Sequence, residues 1–462
     1  MKFRKEKDTL GSIKIPIDKY WGAQTQRAIM NFDVCTQINP MPIDIIIALA
    51  YIKKSSSIAN YQLGILDIDK MELISKVCDE IIKGKLNDNF PLGIWQSGSG
   101  TQSNMNINEV ISCRAHVING GNIEDTIKIL HPNDDVNKSQ SSNDVFPSAM
   151  NIAAYNILKY KTIPSIEKLK NSFLEKSLQY SSIVKIGRTH FMDATPITLG
   201  QEISAYVAQL EYGIDRCNNI LSRLLELPIG GTAVGNGINT PKKFDHLSIK
   251  ILSDITDNNF TISKNKFEAL STCGSIVESH SALKIVAINL MKIANDIRML
   301  SSGPRCGIGE INIPHNEPGS SIMPGKVNPT QCEMVTMVAA QVIGNDTAIS
   351  FGGSNGHFQL NVFKPMIINN FLHSAGLISD ACESFRNKCV SSITPNKINI
   401  ENNLKKSLML VTALNKIIGY EKSAKIANYA YNNNLTLKES AMELKYISSD
   451  DFDKAINPNY MV

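Results

Sequence analysis

The fold is decided by FEALSTCGSIVESHSALKIVAINLMKIANDIRMLSSG, residues 267–303, a long helical pattern that only Gly274 interrupts before its end. One face repeats at i, i+3, i+4 and i+7 spacing and carries Leu283, Val286, Ala287, Leu290, Ala294 and Ile297. The neighbouring faces are apolar too, with Ile285, Ile288, Met291 and Ile293. A helix that is apolar on most sides must be buried on most sides. The pattern therefore predicts a helix inside a bundle or at a subunit interface.

The rest of the chain is organised around this helix. Three further apolar segments are bounded by Pro or Gly, namely 147–180, 200–227 and 332–350. Together they predict a multi-helix bundle over residues 140–394. Residues 1–139 alternate short apolar runs with polar turns, which indicates an α-rich N-terminal domain with some strand-like structure. Residues 395–462 are rich in lysine and asparagine and predict a small C-terminal helical domain, so the fold class is mainly α.

The composition excludes several classes of protein. The 462 residues are 43% hydrophobic, and 47 basic against 43 acidic residues give a net charge of +4. No basic run is long enough to follow a phosphate backbone, and no run of about 18 apolar residues could cross a membrane. The charged start MKFRKEKDTLGSIKIP lacks the apolar core of a signal peptide, and the nine cysteines form no C-x-x-C pair. We expect a cytoplasmic protein with reduced thiols and neither nucleic-acid nor membrane partners.

Four polar stretches interrupt the helices and are rich in Gly, Ser and Asn. They are QSGSGTQSNMNINE (96–109), HPNDDVNKSQSSND (131–144), GRTHFMDATP (187–196) and GSSIMPGKVNP (319–329). Any one of them could simply be a loop in water. Together they offer many hydroxyl and amide groups but few charges. That chemistry suits a pocket that binds a small polar anion through hydrogen bonds and without a metal.

Other motif interpretations fit less well. A phosphate-binding P-loop has four residues between its first glycine and Gly-Lys-Ser/Thr, whereas 319–329 has five and a valine after its lysine. The glycine-rich stretch 228–241 lacks the G-x-G-x-x-G order, and no G-x-S-x-G elbow supports a hydrolase. His131 with Asp134 and Asp135 is the one near-cluster of metal ligands, and we favour a local turn or anion site there.

GSSIMPGKVNP resembles the signature loop of the fumarase/aspartase superfamily, and the other three polar stretches match its remaining conserved blocks in the same order. The resemblance runs from EKDTLGSIKIPIDKYWGAQTQRA near the start to KSLMLVTALN and LTLKESAMEL near the end, so it covers essentially the whole chain. PGKVNPTQCE and GPRCGIGEINIP are most similar to class II fumarases, since aspartases typically have alanine in place of Gly325.

The resemblance implies a three-domain subunit whose central long-helix bundle assembles a homotetramer around a common helical core. It implies active sites built from loops of three subunits, a small dicarboxylate substrate and no cofactor or metal. The implied reaction is the reversible hydration of fumarate to (S)-malate in the tricarboxylic acid cycle, by anti addition and elimination through an aci-carboxylate carbanion. Aspartate ammonia-lyase is the alternative, and a catalytically inactive structural relative is a third possibility.

The resemblance also implies residue roles. Ser320 would be the catalytic base, His190 the proton donor for the leaving hydroxyl, and Glu333 the carboxylate that orients this histidine. Lys326 and Asn328 would stabilise the doubly charged aci-carboxylate. The remaining implied substrate-binding residues are Ser99, Gly100, Thr101, Ser141, Ser142, Asn143, Thr189, Ser321 and Val327.

The stretch HPND resembles a second dicarboxylate site of the family, which would comprise His131, Pro132, Asn133 and Asp134. Relatives have an arginine three residues before the histidine, where this chain has Lys128. A lysine keeps the charge but loses the bidentate fork. The alternative is a structural turn that leads into the stretch 141–143.

Overall fold

A computed structural model, which describes residues 2–462, confirms the mainly helical fold. The α-helices are α1 (Ala23–Asn31), α2 (Ile43–Gln62), α3 (Ile68–Ile82), α4 (Thr101–Ile118), α5 (Ser142–Ile157), α6 (Ile163–Gln179), α7 (Leu199–Leu224), α8 (Phe244–Thr256), α9 (Lys266–Ser271), α10 (Gly274–Leu300), α11 (Thr330–Gly353), α12 (Lys364–Lys388), α13 (Lys397–Lys406), α14 (Asn415–Ile418), α15 (Tyr420–Asn433), α16 (Leu437–Glu443) and α17 (Ser449–Ala455). Within residues 2–462, no helix combines the length and apolarity that crossing a membrane requires.

The strands are short and occur in pairs. The antiparallel pairs are β1 (Phe3–Asp8) with β2 (Gly11–Pro16), β3 (Val184–Thr189) with β4 (Met192–Thr198), and β7 (Ile311–Asn312) with β8 (Thr394–Pro395). The parallel pair is β5 (Glu226–Leu227) with β6 (Thr261–Ile262). The first pair supplies the strand-like structure that the mixed pattern of residues 1–139 predicts.

The stretch 267–303 forms two helices rather than one. A short α9 ends at Ser271, and α10 then runs for 27 residues from Gly274 to Leu300. Gly274 therefore begins the long helix instead of interrupting it. Leu283, Leu290 and Ile297 on the predicted apolar face are buried, as the pattern requires.

The other predicted helices are present with shifted ends. The segment predicted at 147–180 is α5, a π-helical turn over Leu158–Thr162, and α6. The segments predicted at 200–227 and 332–350 are α7 and α11. Helix α12 lies within the predicted bundle region, residues 140–394. The three-domain division at 139/140 and 394/395 stays a prediction.

The chain divides into two compact units. Unit one comprises residues 2–163, 215–285 and 341–378, and unit two comprises residues 164–214, 286–340 and 379–462. In unit one, α2 is buried along most of its length and packs against α3, α5 and α8. In unit two, the ring of Phe173 makes edge contacts with Tyr206 and Phe385, at centroid distances of 5.7 and 6.3 Å.

A buried polar network crosses the helices of unit one. His280 Nδ1 lies 2.9 Å from Asp346 Oδ1, and its Nε2 lies 2.9 Å from Ser374 Oγ. Lys284 donates to the other Asp346 oxygen at 2.7 Å, and Asn345 donates to Ser374 at 3.0 Å. Burial lowers the pKa of His280, although the hydrogen bond with Asp346 opposes that shift. The neutral imidazole therefore suits this core, donating to the carboxylate and accepting from the hydroxyl.

We expect His280→Ala to destabilise the fold by about 2–4 kcal/mol, because it opens a cavity and leaves buried polar groups without partners. The pKa of His280 is lower in the folded state than in the unfolded state. The contribution of His280 to the free energy of unfolding is therefore complete above about pH 6.5 and declines as the pH falls. Urea denaturation at pH 7.5 and pH 5.5 measures both effects. The exposed His246 on α8 is the control, and equal stability of His280→Ala and His246→Ala would contradict the assignment.

Candidate active site

In unit one, the start of α4 carries a row of hydroxyl groups. Ser99 Oγ lies 2.9 Å from both Ser97 Oγ and Thr101 Oγ1. Gly100 precedes the helix with φ +76°, and a Cβ added there would lie 2.3 Å from the Phe146 ring. A larger residue is therefore excluded both by conformation and by space. The chain passes from Gly100 directly into α4, so Ser97, Ser99 and Thr101 lie within and just before its first turn.

The start of α5 is fixed by a capping box. Ser141 Oγ accepts from Asn143 N at 3.2 Å, and Asp144 Oδ1 accepts from Ser141 N at 2.9 Å. The other oxygen of Asp144 accepts from Gly230 N and Thr232 N at 3.0 and 2.9 Å. Burial raises the pKa of Asp144 to about 6, although these backbone bonds oppose the shift. The carboxylate therefore ties the predicted substrate-binding stretch 141–143 to the glycine-rich loop.

The two helix starts lie next to each other in unit one. Phe146 of α5 closes over Gly100, and the Asn104 amide of α4 donates to Asn137 Oδ1 at 3.2 Å. Asn143 Nδ2 donates to Ala233 O at 2.8 Å. The predicted groups at 99–101 and 141–143 therefore belong to one locally packed surface, which offers hydroxyls, amides and two positive helix ends.

The predicted second site has an exposed turn at its centre. His131 Nδ1 accepts from Asp134 N at 3.1 Å, which caps the π-helical turn Pro132–Val136. The Lys128 ammonium donates to the carbonyl oxygens of Ile123 and Asp125 at 2.7 and 2.6 Å. The Lys128 ammonium thus closes a local turn over residues 123–128. A dicarboxylate site at 131–134 stays a prediction.

In unit two, Thr189 and His190 lie at the tip of the β3–β4 hairpin. His190 and Phe191 form its two-residue turn, with φ of 57° and 62°. Positive φ at both positions matches the twist of the flanking strands, even though neither residue is glycine. The tip is exposed, so the imidazole of His190 projects from the hairpin.

A cluster of buried charges holds the base of that hairpin. Arg188 donates to both oxygens of Glu310 at 2.9 and 2.7 Å. Lys185 Nζ lies 3.1 Å from Glu310 and 2.9 Å from Glu202. Burial would raise the pKa of Glu310, but the hydrogen bond from Arg188 and the charges of Lys185 and Arg188 outweigh it and lower that pKa. The hairpin is thereby fastened to the segment that leads into the loop 319–329.

The loop 319–329 is closed at its base. Gly319 N donates to Lys326 O at 2.9 Å, and Asn328 Nδ2 donates to Gly319 O at 2.6 Å. Ser320 Oγ accepts from Ile322 N and Met323 N at 3.3 and 3.1 Å. The loop borders an open depression of about 400 Å³.

Several predicted site residues share this part of unit two. Ser320, Lys326 and Val327 line the depression, and Ser321 follows Ser320 in the loop. Lys326 is exposed and forms no ion pair with any residue from 2 to 462. Glu333 lies in the first turn of α11, directly after the loop, where its backbone N–H donates to Pro329 O at 3.1 Å. The assignments of these site residues stay predictions.

Sequence reasoning missed the groups that hold the site together. The spacing of Ser141 and Asp144 is that of a capping box, so Asp144 could have been found from the sequence. Glu310 gave no such signal, because its charged partners Lys185 and Arg188 lie more than a hundred residues away along the chain. Within residues 2–462, no group of three or more His, Cys, Asp or Glu side chains is placed to hold a metal ion.

Comparison with known proteins identifies the family of the chain. Residues 11–344 match the family model described as Lyase, and residues 410–462 match the one described as Fumarase C C-terminus. The chain is 58% identical over 462 residues to a class II fumarate hydratase of Haemophilus ducreyi, covering 100% of this chain and 99% of the relative. A class II fumarate hydratase of Bacillus subtilis is 52% identical with the same coverage.

Comparison with a solved structure identifies the same family. The class II fumarase of Schistosoma mansoni superposes with a TM-score of 0.97 at 41% identity, covering 100% of this chain and 99% of that one. The fold and the family match define a lyase. More narrowly, the chain belongs to the class II fumarate hydratases.

We expect Glu310→Gln to destabilise the protein by about 3–5 kcal/mol, because Lys185 and Arg188 lose their shared buried carboxylate. Urea denaturation followed by circular dichroism measures the change. Glu317→Gln removes the same charge from an exposed position seven residues later and should leave stability within about 0.5 kcal/mol of the wild type. Equal effects of the two changes would contradict the role of the charge cluster.

Proposed function

We propose that this chain catalyses the reversible hydration of fumarate to (S)-malate without a metal or cofactor, in the tricarboxylic acid cycle. The observation that carries the proposal is the full-length similarity to class II fumarate hydratases together with the presence of every predicted catalytic group. The chemistry is difficult because the proton removed from malate is very weakly acidic. Catalysis therefore depends on fixed donors that meet the charge as it develops.

Ser320 is the proposed base. A hydroxyl performs this role only where its anionic form is stabilised. Its oxygen accepts two backbone N–H groups, and Lys326, without a counter-ion among residues 2–462, brings positive charge to the same loop. Lys326 and Asn328 then stabilise the aci-carboxylate, each fixed donor being worth about 3–4 kcal/mol.

His190 is the proposed proton donor to the leaving hydroxyl, with Glu333 as the group that orients it. An imidazole can give and take a proton near neutral pH. The substrate carboxylates are bound by the hydroxyl and amide groups at 99–101 and 141–143, with Thr189 and Ser321. Each is a weak anion binder alone, which leaves binding energy for interactions made only in the transition state.

The active assembly is proposed to be a cytoplasmic homotetramer whose sites combine loops from three subunits. Large apolar side chains beside the predicted catalytic groups support this arrangement. Phe191 and Met192, next to His190, are 80% and 69% exposed, and Ile322 in the loop 319–329 is 83% exposed. Neighbouring exposed apolar side chains such as Phe191 and Met192 are typical of interaction surfaces. A second copy of the chain would cover them.

Ser320→Ala should lower kcat for malate dehydration by at least about a thousandfold with a smaller change in KM, because the base acts in the chemical step. The rise in fumarate absorbance measures the rate. Ser354→Ala, at another exposed loop serine, should retain wild-type activity. Unchanged turnover in Ser320→Ala would mean that the base is misassigned, and ammonia release from aspartate by the wild type would favour the ammonia-lyase alternative.

Sharing of sites between subunits is tested by mixing two inactive variants. Thr101→Val and His190→Ala remove groups that different copies of the chain would contribute. Random reassembly of the two should restore roughly a quarter of wild-type activity, because a quarter of the sites then contain both native groups. Mixtures as inactive as the parents, despite proven subunit exchange, would show that one chain supplies both groups.

A further inference from the structure

Helix α2 carries a buried lysine that the proposed mechanism does not use. The side chain of Lys53 is fully buried, and its Nζ donates to Asn137 Oδ1 at 2.9 Å and Gln140 Oε1 at 3.0 Å. Among residues 2–462, no carboxylate lies within 4 Å of this ammonium. Both of its acceptors are neutral amides. A desolvated cation without a paired anion is unfavourable and calls for an explanation.

The charged groups around Lys53 do not neutralise it. Asp144 on α5 is the carboxylate that acts on it, but both Asp144 oxygens are already hydrogen-bonded to backbone N–H groups. The Cys78 thiol on α3 has its pKa raised to about 12 by burial and stays neutral. From α4 the neighbouring side chains are amides, and α8 faces α2 with Ser248. Burial accordingly lowers the pKa of Lys53 to about 7.

The position of Lys53 relates it to both helix starts in unit one. Asn137 Oδ1 accepts from Lys53 and also from the Asn104 and Asn108 amides of α4, at 3.2 and 3.3 Å. Gln140, the other acceptor, immediately precedes the stretch 141–143. One ammonium thus supports the segment that leads into α5 and, through Asn137, the first turns of α4.

We propose that Lys53 is a positioning residue for the dicarboxylate substrate, a buried positive charge behind the starts of α4 and α5 whose counter-charge is supplied by the bound dianion. The proposal rests on the proposed function, because it assumes that these two helix starts bind substrate carboxylates. Lys53 does not touch the substrate. It acts by holding the 137–140 segment and by adding positive potential where a dianion arrives.

The charge of Lys53 couples binding to pH. Without ligand, the group is largely protonated below about pH 7 and largely neutral above it. A dianion nearby favours the protonated form, so binding at alkaline pH draws a proton from solution. Because binding and protonation are linked, the affinity for a dicarboxylate falls as the pH rises above 7. The contribution of Lys53 to this fall approaches a factor of ten per pH unit. Below pH 7 this dependence disappears.

The test uses succinate as a non-reacting dicarboxylate and isothermal titration calorimetry at pH 8 in two buffers of different ionisation enthalpy. Wild-type protein should take up between about half and one proton per site on binding. Lys53→Met should lose that uptake, bind succinate roughly tenfold more weakly at pH 6.5, and raise KM more than it lowers kcat. Lys53→Gln, which keeps a hydrogen-bond donor, separates the charge from the hydrogen bonds and should also lose the uptake.

Lys54→Met is the matched control. It removes the same charge one residue along α2, from a lysine that pairs with Asp79 at 2.7 Å, and should keep wild-type uptake and KM. Proton uptake that survives in folded Lys53→Met or Lys53→Gln would overturn the proposal. Wild-type protein that fails to hydrate fumarate would instead overturn the proposed function. Circular dichroism confirms that each variant is folded before its proton uptake and KM are compared with those of the wild type.

Discussion

Long helices that are apolar on most sides must bury nearly their whole surface, and the remaining structure depends on that constraint. Helices α7, α10, α11 and α12 are each 24 to 27 residues long. A buried polar group is costly in such a helix, and the network around His280 satisfies its members with hydrogen bonds. The predicted site stretches accordingly lie where helices begin or at a hairpin tip.

A binding site for a small dianion must be polar, unlike the apolar helices around it. It needs positive electrostatic potential but few charged side chains in contact with the ligand. Helix starts supply N–H groups and partial positive charge without side-chain flexibility. The charged groups that support them are placed behind or beside the binding surface. Lys53 lies under the starts of α4 and α5, while Glu310 fastens the hairpin that carries His190. Full charge is left exposed at Lys326, the residue proposed to stabilise the negative charge that develops on the substrate.

Local sequence patterns predict the helices well. Features that depend on contacts between distant parts of the chain could not be predicted from the sequence. The spacing of apolar residues predicts α10 but places a break at Gly274, because the role of Gly274 as a helix start depends on the short α9 before it. Lys53 and Lys54 look alike in sequence, and only packing shows that one is buried and the other paired at the surface. Roles for Ser320 and His190 came from the resemblance, since an exposed serine or histidine alone has no distinguishing spacing.

The most direct measurement is an experimental structure of the assembled protein with a bound dicarboxylate. The account predicts one ligand per site, with carboxylates contacted by the stretches 99–101 and 141–143 of one copy and by Lys326 and Asn328 of another. Ser320 Oγ would lie within about 3.5 Å of the carbon that loses its proton. A dicarboxylate bound away from Ser320, or contacted by one copy alone, would contradict it.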